Sequence, residues 1–361
     1  MKHLDKTTWN DLQTTEGYSE KRFYHLGLVD AVKKSSGFVD YLLPSTIKAL
    51  ETMSGARSVS VPFIKDKAVV VSQTPSFDVP ANLLESDTYS FTAVDIVSGF
   101  RYYPAIFENN QIDEKQYLNT VMLNVADAMG KKKEEIIAAK LEELKTQKLE
   151  FIDQSNTNVG VYNFNETTDT LEVDKDGQNS AMFANLNAIM DANELSNSYN
   201  IVTSPNGLLG SVIEAQKYGV ANQSNIQWNQ TLLPMDSRFQ SKTISVGDGN
   251  FQGWFIGDGE IGVISNFPYD FRANTVSGTK KWEVSDVELP RLRSRCNIYS
   301  NNEATDATSM VKEGANPQDS NLKMTTFKEQ LIWDRFYLVH KANSDRVNRA
   351  SGVVKIKGLN S

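Results

Sequence analysis

Cysteine is almost absent. Cys296, in RLRSRCNIYS, is the only one in 361 residues, which excludes an intrachain disulfide and a thiolate metal site and fits a reducing compartment. Histidine is nearly as scarce, with three in all: His3, His25 and His340. None has a second histidine or a cysteine at ligand spacing and there is no HExxH, so each reads as packing or surface. The chain also lacks a GxSxG elbow and a GxxxxGK[ST] phosphate loop. No apolar run is long enough for a transmembrane helix, and the opening MKHLDKTTWNDLQTTEGYSEKRFYHLG holds no apolar core for a signal peptide. Positive charge is in deficit, with 37 Lys and Arg against 45 Asp and Glu for a net charge of −8. That balance argues against a protein whose main task is gripping nucleic acid and suits a soluble, self-repelling subunit.

Several local patterns fail on inspection. Gly257-Asp258-Gly259-Glu260-Ile261-Gly262 spells GxGxxG, but a dinucleotide fingerprint needs a helix after it, and the strand-like VISNFPYDF follows. These glycines read as a hairpin turn between GWFI and IGVIS. Glu172, Asp174, Asp176 and Gly177 imitate the first half of a calcium loop, but its twelfth position, which needs a bidentate Glu, is Phe183. Asn165, Asn222 and Asn229 begin N-glycosylation triplets, read as chance in an Asn-rich chain without a secretion signal. The local basic clusters are Arg291, Arg293 and Arg295, then Arg346, Arg349, Lys355 and Lys357, read as solvated or interface charge. A carboxylate pair for glycoside hydrolysis needs no sequence proximity and stays open on sequence grounds. The expectation is no catalytic, cofactor-binding or metal site.

What the sequence does contain is one long helical stretch. Residues from Asp113 to Lys148 carry no proline and a single glycine, Gly130. Leu118, Met122, Val125 and Met129 recur at alternating spacings of four and three, and Ile137, Leu141 and Leu144 resume the pattern, which marks one buried helical face. About 36 residues at 1.5 Å each would span roughly 54 Å, the length of a spine that sets a dimension. Lys131, Lys132 and Lys133 are expected to pair with Glu134 and Glu135 on a solvated surface. The alternative is two helices broken at Gly130, where glycine costs about 1 kcal/mol relative to alanine.

Before the helix, FYHLGLVDAVKKS and PSTIKALETMS read as short helices of an arm that packs on something else. SVSVPF, AVVVSQ, YSFTAVDIV and FRYYPAIF read as strands. After it, NVGVYNFN and TLEVD form a β-pair with a turn at DKDG. SAMFANLNAIMDAN is a helix, YNIVTS a strand, and SPNG leads into a helix GLLGSVIEAQKYG ending at Gly219. TISV, GWFIG, EIGVIS, KWEVSDVEL, TTFKEQLIWDRFYLVHKA and GVVKIKG are the remaining strands.

In this order the parts resemble the major capsid proteins of tailed double-stranded DNA bacteriophages, the Hong Kong 97-type fold shared with encapsulins. NIVTSPNGLLGSVIEAQKYG is similar to that family's strand–turn–helix, GWFIGDGEIGVISNFPYDF to its glycine-broken hairpin, and LIWDRFYLVHKANSDRV to its returning segment. The resemblance implies an α+β phage-capsid-type fold. Residues 1–57 would be an N-terminal arm, 58–110 an extended β-loop and 111–150 a peripheral domain with the spine helix. Residues 151–325 would form a central α/β domain and 326–361 the return to the peripheral domain. It implies a structural protein, not an enzyme, that assembles through pentamers and hexamers into an icosahedral shell around phage DNA. Such a shell is a virion capsid assembled in the host bacterial cytoplasm. Its partners would be copies of itself with scaffolding, portal and decoration proteins, with no sequence-specific DNA binding, no membrane and no cofactor. The chain shows no scaffolding segment before its arm, so the expectation is a separate scaffold or a trimmed chain. Lys65 and Lys67 lie at a plausible loop position for the Lys–Asn crosslinks some members form, with no acceptor asparagine identified. The alternatives are an encapsulin-like compartment, a tail or fibre sugar-binding protein, and a carboxylate-based hydrolase.

Overall fold

The computed structural model describes residues 27–35, 44–52, 58–64, 73, 86–103, 114–149, 162–174, 186, 189–190, 192–193, 195, 198–207, 238–266, 275–277, 280–289, 294–305, 326–340 and 351–360, and among these two short helices come before the strands. They are α1 (Gly27–Lys34) and α2 (Pro44–Thr52). The long periodic stretch becomes α3 (Glu114–Leu144), one helix of 31 residues that passes through Gly130 without a break. At 1.5 Å per residue it spans about 46 Å.

The strands form two sheets. The first, all antiparallel, holds β1 (Ser58–Ile64), β2 (Ser86–Tyr102), β8 (Ile261–Ser265), β9 (Thr275–Ser277), β10 (Lys280–Leu289), β11 (Ser294–Thr305) and β12 (Thr326–His340). Its order is β1-β2-β12-β11-β10-β9, and β8 also pairs with β12. The second holds β3 (Tyr162–Asn165), β4 (Thr170–Val173), β5 (Tyr199–Thr203), β6 (Arg238–Gln240), β7 (Phe251–Gly257) and β13 (Val353–Gly358). It is mixed, in the order β3-β4-β13-β7-β5-β6, with β13–β4 and β5–β6 parallel.

One core joins the sheets. Leu118, Met122, Met129, Ile137 and Leu141 of α3 pack with Ile332 and Phe336 of the first sheet and with Trp254, Ile256 and Val353 of the second. Leu28, Val29 and Val32 of α1 belong to the same cluster. The opposite face of the second sheet buries Phe164, Leu171, Phe255 and Ile356 with Leu186 and Met190, and the described residues around 186–192 are helical as the sequence suggests. Leu50 of α2 packs with Val61, Phe91, Tyr337 and Val339. These two helices thus have packing partners within this chain. Leu28, Val29 and Val32 of α1 lie in the core shared by the two sheets, and Leu50 of α2 is buried against the first sheet.

Three expectations change. YSFTAVDIV and the start of FRYYPAIF are one 17-residue strand, β2. TISV is not a strand; residues 243–246 are irregular and lead to Gly247, while the strand lies earlier, at Arg238–Gln240. The glycine-rich segment 257–262 is not a hairpin. β7 pairs with β5 and β13, whereas β8 pairs with β12, so the turn at Asp258–Gly259 carries the chain from one sheet to the other. Gly259 has φ of 83°, a conformation that side chains rarely adopt.

Candidate functional site

The middle of α3 carries two consecutive charges with no solvent exposure, Lys133 and Glu134. Successive residues point about 100° apart on a helix, and these two take different partners. Lys133 Nζ donates to Asp334 Oδ2 of β12 at 2.8 Å and lies 4.4 Å from the centre of the Phe336 ring. Glu134 turns to the other side. Its Oε1 accepts the Leu28 backbone N–H at the start of α1 at 3.0 Å, and its Oε2 accepts the hydroxyls of Ser241 and, at 2.7 Å, Thr243. Burial pushes the Glu134 carboxyl above the ordinary carboxylate value, and the three donors counter this only in part.

Both ends of the helix are fastened too. At its start Tyr102 Oη donates to Glu114 Oε1 at 3.1 Å. Burial holds the Lys328 ammonium of β12 below its ordinary value, against the favourable Glu114 charge. At its end Glu142 receives Lys145 Nζ at 2.8 Å and Lys355 Nζ of β13 at 2.9 Å, while Ser351 Oγ donates to the Leu144 carbonyl. The spine is thus tied to the first sheet at Asp334 and to the second at Lys355.

Pairing between β2 and β12 ends at Ala93, and the base of the β1–β2 hairpin beyond it still packs with Leu50, Tyr337 and Val339 through Val61 and Phe91. From Ala93 to Tyr102 strand β2 pairs with β12, and from Ser86 to Thr92 it pairs with β1. Between the hairpin base and α3 lies an open groove of about 350 Å³, lined by Phe91, Val94, Ile136, Lys140, Leu338 and His340. The other face of β2 leaves Val97 49% exposed, beside a cluster in which Asp95 accepts from Arg335 and from the Trp333 indole.

The residues singled out in the sequence scatter. His340 ends β12 and meets the Phe91 ring edge-on at 5.6 Å; His3 and His25 lie outside the described residues, as do Asp176, Gly177, Phe183, Asn222 and Asn229. Glu172 is in β4, where Asn165 donates to it. Asn165 caps its own turn by accepting from the Thr167 and Thr168 amides. Arg295 sits in β11 opposite Glu288, and Lys355 is committed to Glu142. Lys65, Lys67, AVVVSQ, the DKDG turn beyond Asp174, the helix to Gly219 past its first residue, Arg291, Arg293, Arg346 and Arg349 also fall outside the described residues. Among the described residues no group of three or more His, Cys, Asp or Glu is arranged to hold a metal, and no helix is long and apolar enough to cross a membrane.

The expectation for Lys133 and Glu134 is corrected. Lys132–Glu135 is the surface pair expected, but Lys133 and Glu134 are buried. A signal was present in the sequence. The apolar stripe steps from Met129 to Ile137, and Lys133 stands midway at a spacing of four from each, so a lysine occupies a core position.

No family model and no curated protein matches the chain. Solved structures similar to it include a capsid structure of the cyanophage P-SCSP1u, with 11% identity over 86% of each chain and a TM-score of 0.43. A structure from Mycobacterium phage Che8 has 9% identity over 94% of this chain and 93% of that one, with a TM-score of 0.45. The holo-SrpI encapsulin complex from Synechococcus elongatus has 10% identity over 88% of each chain and a TM-score of 0.39.

Proposed function

We propose that the chain is the building block of a shell, a structural protein that self-assembles through hexamers and pentamers into the icosahedral capsid enclosing a phage DNA genome. The observation that carries this reading is the change of partner at Ala93, where, among the described residues, β2 leaves β12 and continues paired with β1. A two-stranded ribbon is marginal by itself in water, and its open edges invite pairing. A ribbon mounted on a rigid body gains by lying across a neighbouring copy. Contacts of that heterologous kind close into rings when the rotation permits, and stability then depends on subunit concentration.

The role is structural and not catalytic. The acidic balance of −8 supports a lining that does not hold packaged DNA tightly, since each phosphate contact adds salt-sensitive affinity. Scaffolding, portal and decoration proteins are the further partners of this reading, with assembly in the host bacterial cytoplasm and the virion capsid as the final location.

Expression of the full chain, alone and with scaffolding proteins encoded by neighbouring genes, followed by negative-stain electron microscopy, tests it. Closed shells, hexamers or pentamers are expected, and a stable monomer under every condition overturns it. The contents of the shells separate the two kinds of container. Nucleic acid supports a capsid, and one kind of enclosed protein supports an encapsulin-like compartment.

A further inference from the structure

Asn206-Gly207 is the single Asn-Gly pair of the chain, and it lies in the turn that follows β5. The Asn206 side chain is exposed, with Nδ2 donating to the Asn250 carbonyl at 3.4 Å. Gly207 is buried by contrast, and a Cβ there would come within 2.6 Å of the Thr203 side chain, so the position after Asn206 has room for glycine alone. An exposed carboxamide followed by a nitrogen with no side chain beside it is the arrangement in which asparagine modifies itself. The Gly207 nitrogen attacks Asn206 Cγ, a new C–N bond forms, and the bond from Cγ to Nδ2 breaks. The proton of the attacking nitrogen passes to solvent base, and Nδ2 departs as ammonia. Water then opens the five-membered imide at either carbonyl and leaves aspartate or isoaspartate.

The fold opposes the first of these steps. The Gly207 N–H donates to the Ser204 carbonyl at 2.9 Å, closing a turn with Pro205 in its second position and Asn206 in its third. Asn206 has no positive φ, so the turn is of type I, whose backbone points the Gly207 nitrogen away from the Asn206 side chain. Attack therefore requires the turn to open. Three contacts resist that opening. The Ser204 N–H donates to the Gln252 carbonyl at 2.8 Å, the Gln252 N–H donates to Ser204 Oγ at 3.3 Å, and Gln240 Nε2 donates to the Pro205 carbonyl at 3.4 Å. Pro205 adds to them, because its ring fixes φ at the value this turn needs.

We propose that Asn206 is a self-deamidating site held shut by the closed turn, so that the reaction proceeds through the population in which the turn has opened. Aspartate would put a carboxylate where Nδ2 now donates to the Asn250 carbonyl. Isoaspartate would insert a methylene into the backbone and shift Gly207 from its place against Thr203. Either product weakens the hold of this turn on the chain entering β7. The proposal does not rest on the shell reading.

The test incubates the full chain in mildly alkaline buffer made with heavy-oxygen water, native and in guanidinium chloride, with peptide mapping by mass spectrometry over several weeks. Heavy oxygen enters where the imide is hydrolysed and marks product formed during the incubation. Label is expected at Asn206 in both samples, at least about tenfold more slowly in the native chain, since opening of the turn limits the reactive population. Pro205→Gly keeps the Asn-Gly pair and frees the turn. In its folded form, verified by circular dichroism, it is expected to react severalfold faster than the native chain, with no change in the unfolded rate. Equal rates in native and unfolded chain overturn the proposal, as does an unfolded chain without label at Asn206. A folded Pro205→Gly chain that reacts no faster than the native one overturns it too, and if that variant does not fold the comparison of native with unfolded chain decides.

Discussion

Lys133 Nζ lies 2.8 Å from Asp334 Oδ2, and neither side chain keeps any exposure. The contact joins the middle of α3 to β12, the strand that pairs with β2, β8 and β11. A buried pair is weak evidence for net stability, because the desolvation of both charges offsets their attraction. Its loss is another matter, since removing one partner takes from the other the ion pair it makes in the core.

Lys133→Met or Asp334→Leu is therefore expected to cost about 3–5 kcal/mol, while the double replacement recovers most of that loss. Urea unfolding of the three variants measures the cycle. Equal loss in the double and single variants would show that the site needs the pair for more than charge balance.

Glu142 has the opposite pH signature to Glu134 on the same helix. Burial pushes its carboxyl up, but hydrogen bonds and charge from Lys145 and Lys355 outweigh this and hold it below the ordinary value near 4.5. A depressed carboxylate contributes stability above its unfolded value and loses it as pH falls through the folded one. Its side chain is 42% exposed, so screening limits the contribution to about 1 kcal/mol or less. Glu142→Gln is expected to unfold at a lower temperature than the native chain near pH 6 and to converge with it near pH 3, by calorimetry across that range.

Gly99 of β2 lies opposite Leu331 of β12. A Cβ there would come within 2.4 Å of the Gln330 carbonyl oxygen, so Gly99→Ala must part the two strands and is expected to cost about 1–3 kcal/mol, as overpacking does. Val97→Ala, two residues away and 49% exposed, should stay within about 0.5 kcal/mol for the isolated subunit. Thermal unfolding of both variants makes the comparison.

What the sequence revealed follows from which interactions are local. The extent of α3 was legible because its stripe from Leu118 to Leu144 and its lack of proline are written within one segment, and the continuous core outweighs the propensity cost of Gly130. Lys133 and Glu134 were misread because charge within a helix suggests solvent, and the groups that make their burial tolerable, Asp334, Leu28, Ser241 and Thr243, are all remote in sequence. The turn at Gly259 was legible as a turn, but a hairpin and a crossing between sheets need the same backbone, and the partners that decide between them, β12 for β8 and β13 for β7, lie some 70 to 100 residues on. The seat of α1 was invisible for the same reason, since every group that holds it comes from elsewhere in the chain.

The hairpin gives the sharpest test of the proposed assembly. Ile64 and Ser86 are paired in antiparallel register, so residues 65–85 can be replaced by an Asn-Gly turn, which favours a two-residue hairpin connection. Val61 and Phe91, which anchor the base, are kept, with their cluster partners Leu50, Tyr337 and Val339. The shortened chain is expected to keep the circular dichroism and unfolding temperature of the native subunit while forming no closed shells. A folded variant that still assembles would show that the ribbon's reach is dispensable and remove the main support for the shell reading. A variant that loses both folding and assembly would be resolved by Phe91→Ala. Losing about 3–5 kcal/mol of core packing, that variant separates a weakened hairpin base from a missing contact with the neighbour.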